Sequence, residues 1–326
     1  MTQNSDVLLG ALIADAACLG LHWIYDPDKI AAIAARQGRQ CAFTPVEAKN
    51  YAGAKTFAHR TRHAGMFTQI GEVLRLTIQC MNAQGGTFDV SAYKTAFAAH
   101  FGPGGAYQGF IDRPTRGALE NIAAERAPTG IDDFQTPALT RLPAILVAYQ
   151  GQENLSEMIA TSMEVTNVND VAAAYNAAFA DVLARVMQKE PLDEALSAAA
   201  TSADDAIKED LSAALAAPQE NSTEFAGLTG TMGRACSLTS AGPVMFHILK
   251  HSSSYQEAIE RNVLAGGDNA GRSILIGAVM AAVHGVATTT GVPLSWVLQL
   301  DDAAKVYEEC ERLGAPGSVP NPHPLS

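Results

Sequence analysis

The sequence predicts a single all-α domain. Apolar residues recur at helical spacing between recognisable caps, and strand signals are nearly absent: there is no alternating Val/Ile/Thr/Tyr segment and no Asn-Gly hairpin turn. The run from Ile274 to Val286 has almost no polar face, which places it at the centre of a helical core. At 326 residues the chain exceeds the usual single-domain size, but a helical fold can run this long as one unit, and no fixed-period repeat divides it. We expect the domain to span residues 1–313, followed by a tail, 314–326, that holds four prolines.

Taken in order, the first helix is expected from about Asp6 to Tyr25. Met1 to Asp6 offers no basic leading region, and Asp15 and His22 interrupt the apolar run, so a buried helix of a cytoplasmic protein is expected. Asp26-Pro27 reads as an N-cap with proline at the first helical position, opening a helix that Gly38 closes. Residues 39–66 lack periodicity and form a long loop with Lys55, His59, Arg60, Arg62 and His63 near its end, either a cover over a site or a solvated surface. Thr68 to Met81 is amphipathic, and Gly85-Gly86 ends it. Short helices follow at Ser91 to His100 and from Thr115 to Glu125, then at Thr136 to Gln150 and Leu155 to Val165. A polar corner, Asn167 to Asp170, precedes a long helix at Val171 to Met187. One or two alanine-rich helices fill 191–217, and Asn221 to Ser240 is polar and glycine-spotted. Helices at Ala241 to Lys250, Ser254 to Leu264, after Asp268, and at Asp301 to Leu313 complete the set.

Composition bounds the function. With 34 acidic and 22 basic residues the formal charge is -12, which opposes both a nucleic-acid footprint and adhesion to an anionic membrane. Five cysteines are scattered without a CxxC pair, and Cys18, Cys80 and Cys236, in apolar surroundings, read as small core residues of a reducing compartment. His59-x-x-x-His63 and His247-x-x-x-His251 have the spacing of helical ligand pairs but lack a third ligand in a known zinc arrangement.

The most informative stretch is Ala265-Gly266-Gly267-Asp268-Asn269-Ala270-Gly271-Arg272-Ser273. Its glycines allow a tight turn, Asp268 or Asn269 can cap the central helix, and the free N–H groups of the first turn suit an anion. The same pattern also describes an ordinary N-cap.

Three segments carry a resemblance. Gly10-Ala-Leu-Ile-Ala-Asp15-Ala-Ala-Cys-Leu-Gly20, Thr115-Arg116-x-x-Leu119-Glu120-Asn121, and Ser254 through Glu257 and Ala258 into Gly266-Gly267-Asp268 resemble, in that order, motifs of the ADP-ribosylglycohydrolase family. In the first segment Ala14 stands where the family pattern has glycine. The resemblance implies an all-helical hydrolase acting on ADP-ribose attached to a protein or small-molecule acceptor. It also implies two magnesium ions, held by a Thr-Asp-Asp triplet and an Asp-x-Asp-Thr cluster. Here the triplet reads Thr68-Gln69-Ile70 and the cluster keeps Asp268 but has Ala270 and Gly271 at the other two positions. The Thr-His corner of relatives becomes Thr166-Asn167. Thr68 and Asp268 alone would hold magnesium weakly, so the dinuclear site is expected to be absent. The Gly-Gly-Asp-Asn segment is similar to the divergent branch of the family that includes the J1-type crystallins.

Three functions fit these observations. A glycosidase-type hydrolase would draw its acid and base from Glu72, Asp15 and Asp268. Asp15 and Glu72 each have a plainer role available, as a buried acid capping backbone ends and as a partner of Arg75. A non-catalytic binder of ADP-ribose or a nucleotide would use Gly266, Gly267, Asn269, Gly271 and Arg272 for the diphosphate, aided by Arg60 or Arg62, with Tyr107 or Phe110 against the base. The third is a purely structural, crystallin-like role.

Overall fold

The computed structural model describes residues 2–38, 40–54, 56–219 and 232–315, so the expected tail beyond Ala315 and most of the 221–240 segment lie outside the described residues. The described helices are α1 (Gln3–Cys18), α2 (Pro27–Arg36), α3 (Gln69–Ala83), α4 (Val90–Phe101), α5 (Arg113–Ala123), α6 (Leu142–Tyr149), α7 (Leu155–Glu164) and α8 (Asp170–Met187). They continue with α9 (Leu192–Ser202), α10 (Asp205–Ala216), α11 (Leu238–Lys250), α12 (Tyr255–Leu264), α13 (Asn269–His284), α14 (Leu294–Val297) and α15 (Ala303–Gly314). No strand occurs among the described residues, only three isolated bridges. The all-α expectation holds.

α1 and α13 form the axis of the molecule. Both are buried along nearly their whole length, as helices without a polar stripe must be. They cross on small residues. A Cβ built on Gly10 would lie 2.3 Å from the Ala281 Cβ, and one on Gly277 would lie 2.5 Å from the Ala14 Cβ. Glycine at 277 therefore leaves the room that Ala14 occupies. Tyr255 of α12 donates its hydroxyl to the Gly10 carbonyl at 2.6 Å, tying a third helix to the crossing. The stretch Gln3–Leu21 is long and apolar enough to cross a membrane, but it is buried inside the fold.

Side-chain caps start most helices where the sequence places them. Asp26, Thr68, Asp89, Ser254 and Asp268 each accept from a backbone N–H of the following turn. Departures have local causes. The first helix ends at Cys18 with a 3₁₀ turn over Leu19–Leu21 instead of reaching Tyr25, because Trp23 turns into the left-handed region at φ +66°. The expected helix from Thr136 divides into a 3₁₀ turn, Thr136–Leu139, and α6, where Pro143 sits in the first turn and loses no hydrogen bond. α5 starts at Arg113, two residues before Thr115, because Asp112 is its cap. The one-turn α14 carries too little periodicity to be seen in sequence.

Candidate functional site

The glycine-bounded turn before α13 meets the end of the first helical segment. Trp23 N donates to the Gly267 carbonyl and Gly267 N to the Ile24 carbonyl, both at 2.8 Å. Gly267, at φ +64°, has no room for a side chain: a Cβ there would lie 2.1 Å from the Arg234 carbonyl oxygen. This lock sets Asp268 at the floor of a cleft. The Asp268 Oδ1 is 2.8 Å from the Nε2 of His22, and its Oδ2 accepts from Thr136 Oγ1 at 2.7 Å. Gly271 is glycine because a Cβ would stand 2.2 Å from both the Asp268 Oδ2 and the Thr136 Oγ1. Burial alone would raise the Asp268 pKa, but the bond from His22 and the one from Thr136 outweigh it, so the carboxylate titrates below its ordinary value.

The opposite wall belongs to α3 and α5. Thr68, the cap of α3, donates its N–H and hydroxyl to Asp15 at 2.7 and 2.6 Å. Gln69 donates to Asp112 Oδ2 at 3.0 Å and to Thr115 Oγ1 at 2.5 Å, and accepts from Asp112 N at 2.7 Å. Burial raises the Asp112 pKa despite its bonds from Thr115 and Gln69. From the long loop, His59 reaches in, its Nε2 2.7 Å from His22 Nδ1. Burial and the neighbouring His22 and Arg62 push the His59 pKa well down, so its ring stays neutral. Trp23 and Phe110, edge to face at 4.8 Å, also line the cleft. The cavity they leave is about 30 Å³, room for a water or two.

These features stand in a wider context. Residues 5–320 match the family model described as ADP-ribosylglycohydrolase. The chain belongs to the ADP-ribosylglycohydrolase family. Crystallin J1A and crystallin J1B of Tripedalia cystophora are 21% and 23% identical to it, each alignment covering 94% of this chain and 94% of the relative. A solved "ADP-ribosylglycohydrolase-related protein complex" shares the fold, with a TM-score of 0.69 at 15% identity, over 96% of this chain and 99% of the other.

Of the residues that the sequence nominates, the fold brings Asp268, Gly271, Thr68 and Phe110 to the cleft or its floor. Others need correction. Arg272 cannot take a diphosphate. It is wholly buried, its Nε on the Asn262 Oδ1 at 2.9 Å and its Nη2 on the Gly266 carbonyl at 2.7 Å, so it braces the turn from behind. Asn269 is equally buried and donates to the Leu21 carbonyl at 3.2 Å. Gly266 faces Ile24 and Ile30, so neither it nor Gly267 presents an open anion cradle.

Asp15 lies behind Thr68 with no exposed surface, in the plainer of its two roles, and burial lifts its pKa to about 7. Glu72 does not line the cleft and does not pair with Arg75. It binds Arg62 at 3.0 Å and His100 at 3.4 Å, while Arg75 turns to Glu309 and Asp302. Tyr107 is buried under the Arg62 guanidinium, 4.3 Å from the ring centroid, and cannot stack on a base. Sequence reasoning missed His22, Gln135, Thr136 and Asp112 as cleft residues. Asp112 was legible, since Asp-x-x-Thr115 is a capping pattern at the start of the recognised helix.

The donors do not suit a pair of magnesium ions. Asp268 spends both oxygens on protein groups, Gln69 spends its amide on α5, and the Thr68 hydroxyl is donated to Asp15. Among the described residues, no group of three or more His, Cys, Asp or Glu side chains stands close enough to hold a metal ion.

Proposed function

We propose that this chain is a hydrolase of ADP-ribosyl bonds that works without the dinuclear magnesium site, using two cleft carboxyls with divergent acidity. The observation that supports this most is the satisfied network around Asp268 and Gln69, which occupies with protein hydrogen bonds the positions where ion ligands would otherwise stand. Asp268, held ionised, would stabilise positive charge at the anomeric carbon and accept a proton from the attacking water. Asp112, whose burial favours its protonated form, would give its proton to the departing nitrogen or oxygen as the anomeric bond breaks. Water then supplies the hydroxyl on the anomeric carbon, and both carboxyls return to their starting states by exchange with solvent.

A second reading has its own support. Both curated relatives are named as crystallins, and the cavity is too small for a sugar as it stands. In that reading the chain binds ADP-ribose without cleaving it, or serves a structural role.

Release of ADP-ribose from ADP-ribosyl-arginine, followed with EDTA and with added magnesium, separates these. Equal turnover in both, falling at least about 100-fold in Asp268→Asn, is expected. Turnover that appears only with magnesium would overturn the metal-independent reading. Tight binding without turnover would favour the binder, and neither binding nor turnover the structural role.

A further inference from the structure

Two polar atoms of the cleft residues lack a hydrogen-bond partner. Trp23 Nε1 and His59 Nδ1 are both buried and unpaired, although both side chains line the cleft. Buried polar groups are nearly always satisfied, so two orphans on one wall of one cleft call for an explanation. Trp23 carries a second peculiarity. A bulky residue at φ +66° is an outlier, kept there by its own N–H bond to the Gly267 carbonyl and by the Gly267 N–H bond to the next residue, Ile24, and such outliers gather at ligand clamps and switches. Its indole N–H has no hydrogen-bond partner, and its ring lies against Phe110 at 4.8 Å and His22 at 4.7 Å. Thr68, Gln69, Asp112, Thr136 and Asp268, by contrast, are each tied by hydrogen bonds to another element.

We infer that Trp23 and His59 form a closed gate over Asp268, and that an entering ribosyl group turns them outward and satisfies their two orphan nitrogens with its hydroxyls. This rests on the proposal that the cleft takes an ADP-ribosyl ligand. A cavity of about 30 Å³ cannot hold a pentose, so some of the wall must move, and the aromatic side is held least: the Trp23 indole N–H is unpaired, and His59 has a single side-chain bond, to His22. The chemistry selects the ligand group. Trp23 Nε1 can only donate, and His59 Nδ1 donates or accepts according to tautomer, so a hydroxyl, which does both, matches either state. A phosphate on the same spot brings only acceptor oxygens to a floor that already presents the Asp268 carboxyl oxygens, and it could not donate to His59 Nδ1 where that nitrogen is the acceptor. The floor of the cleft therefore takes the neutral, hydroxyl-bearing end of the ligand, and the diphosphate stays outside.

The chain has two tryptophans, Trp23 and Trp296, so in a Trp296→Phe variant all tryptophan emission comes from the gate. Titration with ADP-ribose should change that emission saturably, with the same affinity that calorimetry reports, whereas ADP, which lacks the terminal ribose, should bind at least about tenfold more weakly. Trp23→Phe and His59→Phe keep ring bulk while removing the nitrogens, and each should weaken ADP-ribose binding about five- to tenfold. Calorimetric binding of ADP-ribose with silent Trp23 emission, or unchanged affinity in both Phe variants, would overturn the gate and leave the hydrolase reading standing. ADP binding as tightly as ADP-ribose would overturn the assignment of the ribosyl end. Absence of ADP-ribose binding in the wild type and in Trp23→Ala, where the gate is cut away, would overturn the hydrolase reading itself and the gate with it.

Discussion

Asp15 shows how a single buried carboxyl can be tied to a site without facing it. Burial lifts its pKa to about 7, against the pull of two hydrogen bonds from Thr68. The folded chain therefore holds a proton on Asp15 that the unfolded chain releases above about pH 4. The sign follows: this contribution to stability is fully present at low pH and is lost as pH rises from about 4 through about 7. Urea unfolding at stepped pH values across that interval should show the wild type losing more stability than Asp15→Asn, whose amide does not titrate. Equal slopes for the two proteins would mean that Asp15 is ionised throughout. The same residue explains why sequence alone could not separate its roles: an acid on an apolar helix is recognisable, but the hydroxyl it serves is 53 positions away.

At the level of elements, the crossing of α1 and α13 depends on the absence of side chains. Gly10 and Gly277 bring two backbones together, and each has a neighbour closer than any Cβ could tolerate. Gly277→Val should cost about 2–4 kcal/mol, because the added carbons meet the Ala14 Cβ and the Gly10 carbonyl, neither of which can rotate away. A midpoint shift in chemical denaturation measures it. The double variant Ala14→Gly/Gly277→Ala should recover only part of the loss that Gly277→Ala alone incurs, since it clears the Ala14 Cβ but leaves the Gly10 carbonyl oxygen 2.5 Å from the new carbon. Here the sequence was informative. Apolar periodicity and caps located nearly every helix, because those signals arise within a few residues. It was silent about the Trp23 turn and α14, whose geometry is imposed by Gly267 and by packing.

For the molecule as a whole, the satisfied network predicts indifference to divalent ions. A ligand that binds only the folded state stabilises it by RT ln(1 + L/Kd), with L the free ligand concentration, and so raises the melting temperature. Thermal unfolding of the wild type should therefore coincide in EDTA and in excess magnesium, and a clear upward shift with magnesium would contradict the network as described. The family and the missing acids at 69, 70 and 270 could be read from motifs. The replacement partners could not, since His22, Asp112 and Thr136 reach the cleft from three separate stretches of chain and carry no shared spacing.

The amide of Gln69 also has a bearing on which positions can vary alone. It serves Asp112 as donor and acceptor at once, and Asp112 in turn starts α5. An acid at 69 would remove the amide donor that Asp112 Oδ2 accepts from and put a second carboxyl beside it, weakening the support of the α5 cap. Positions 69 and 112 should therefore tolerate change as a pair better than singly, which a double-variant cycle read by thermal unfolding would register.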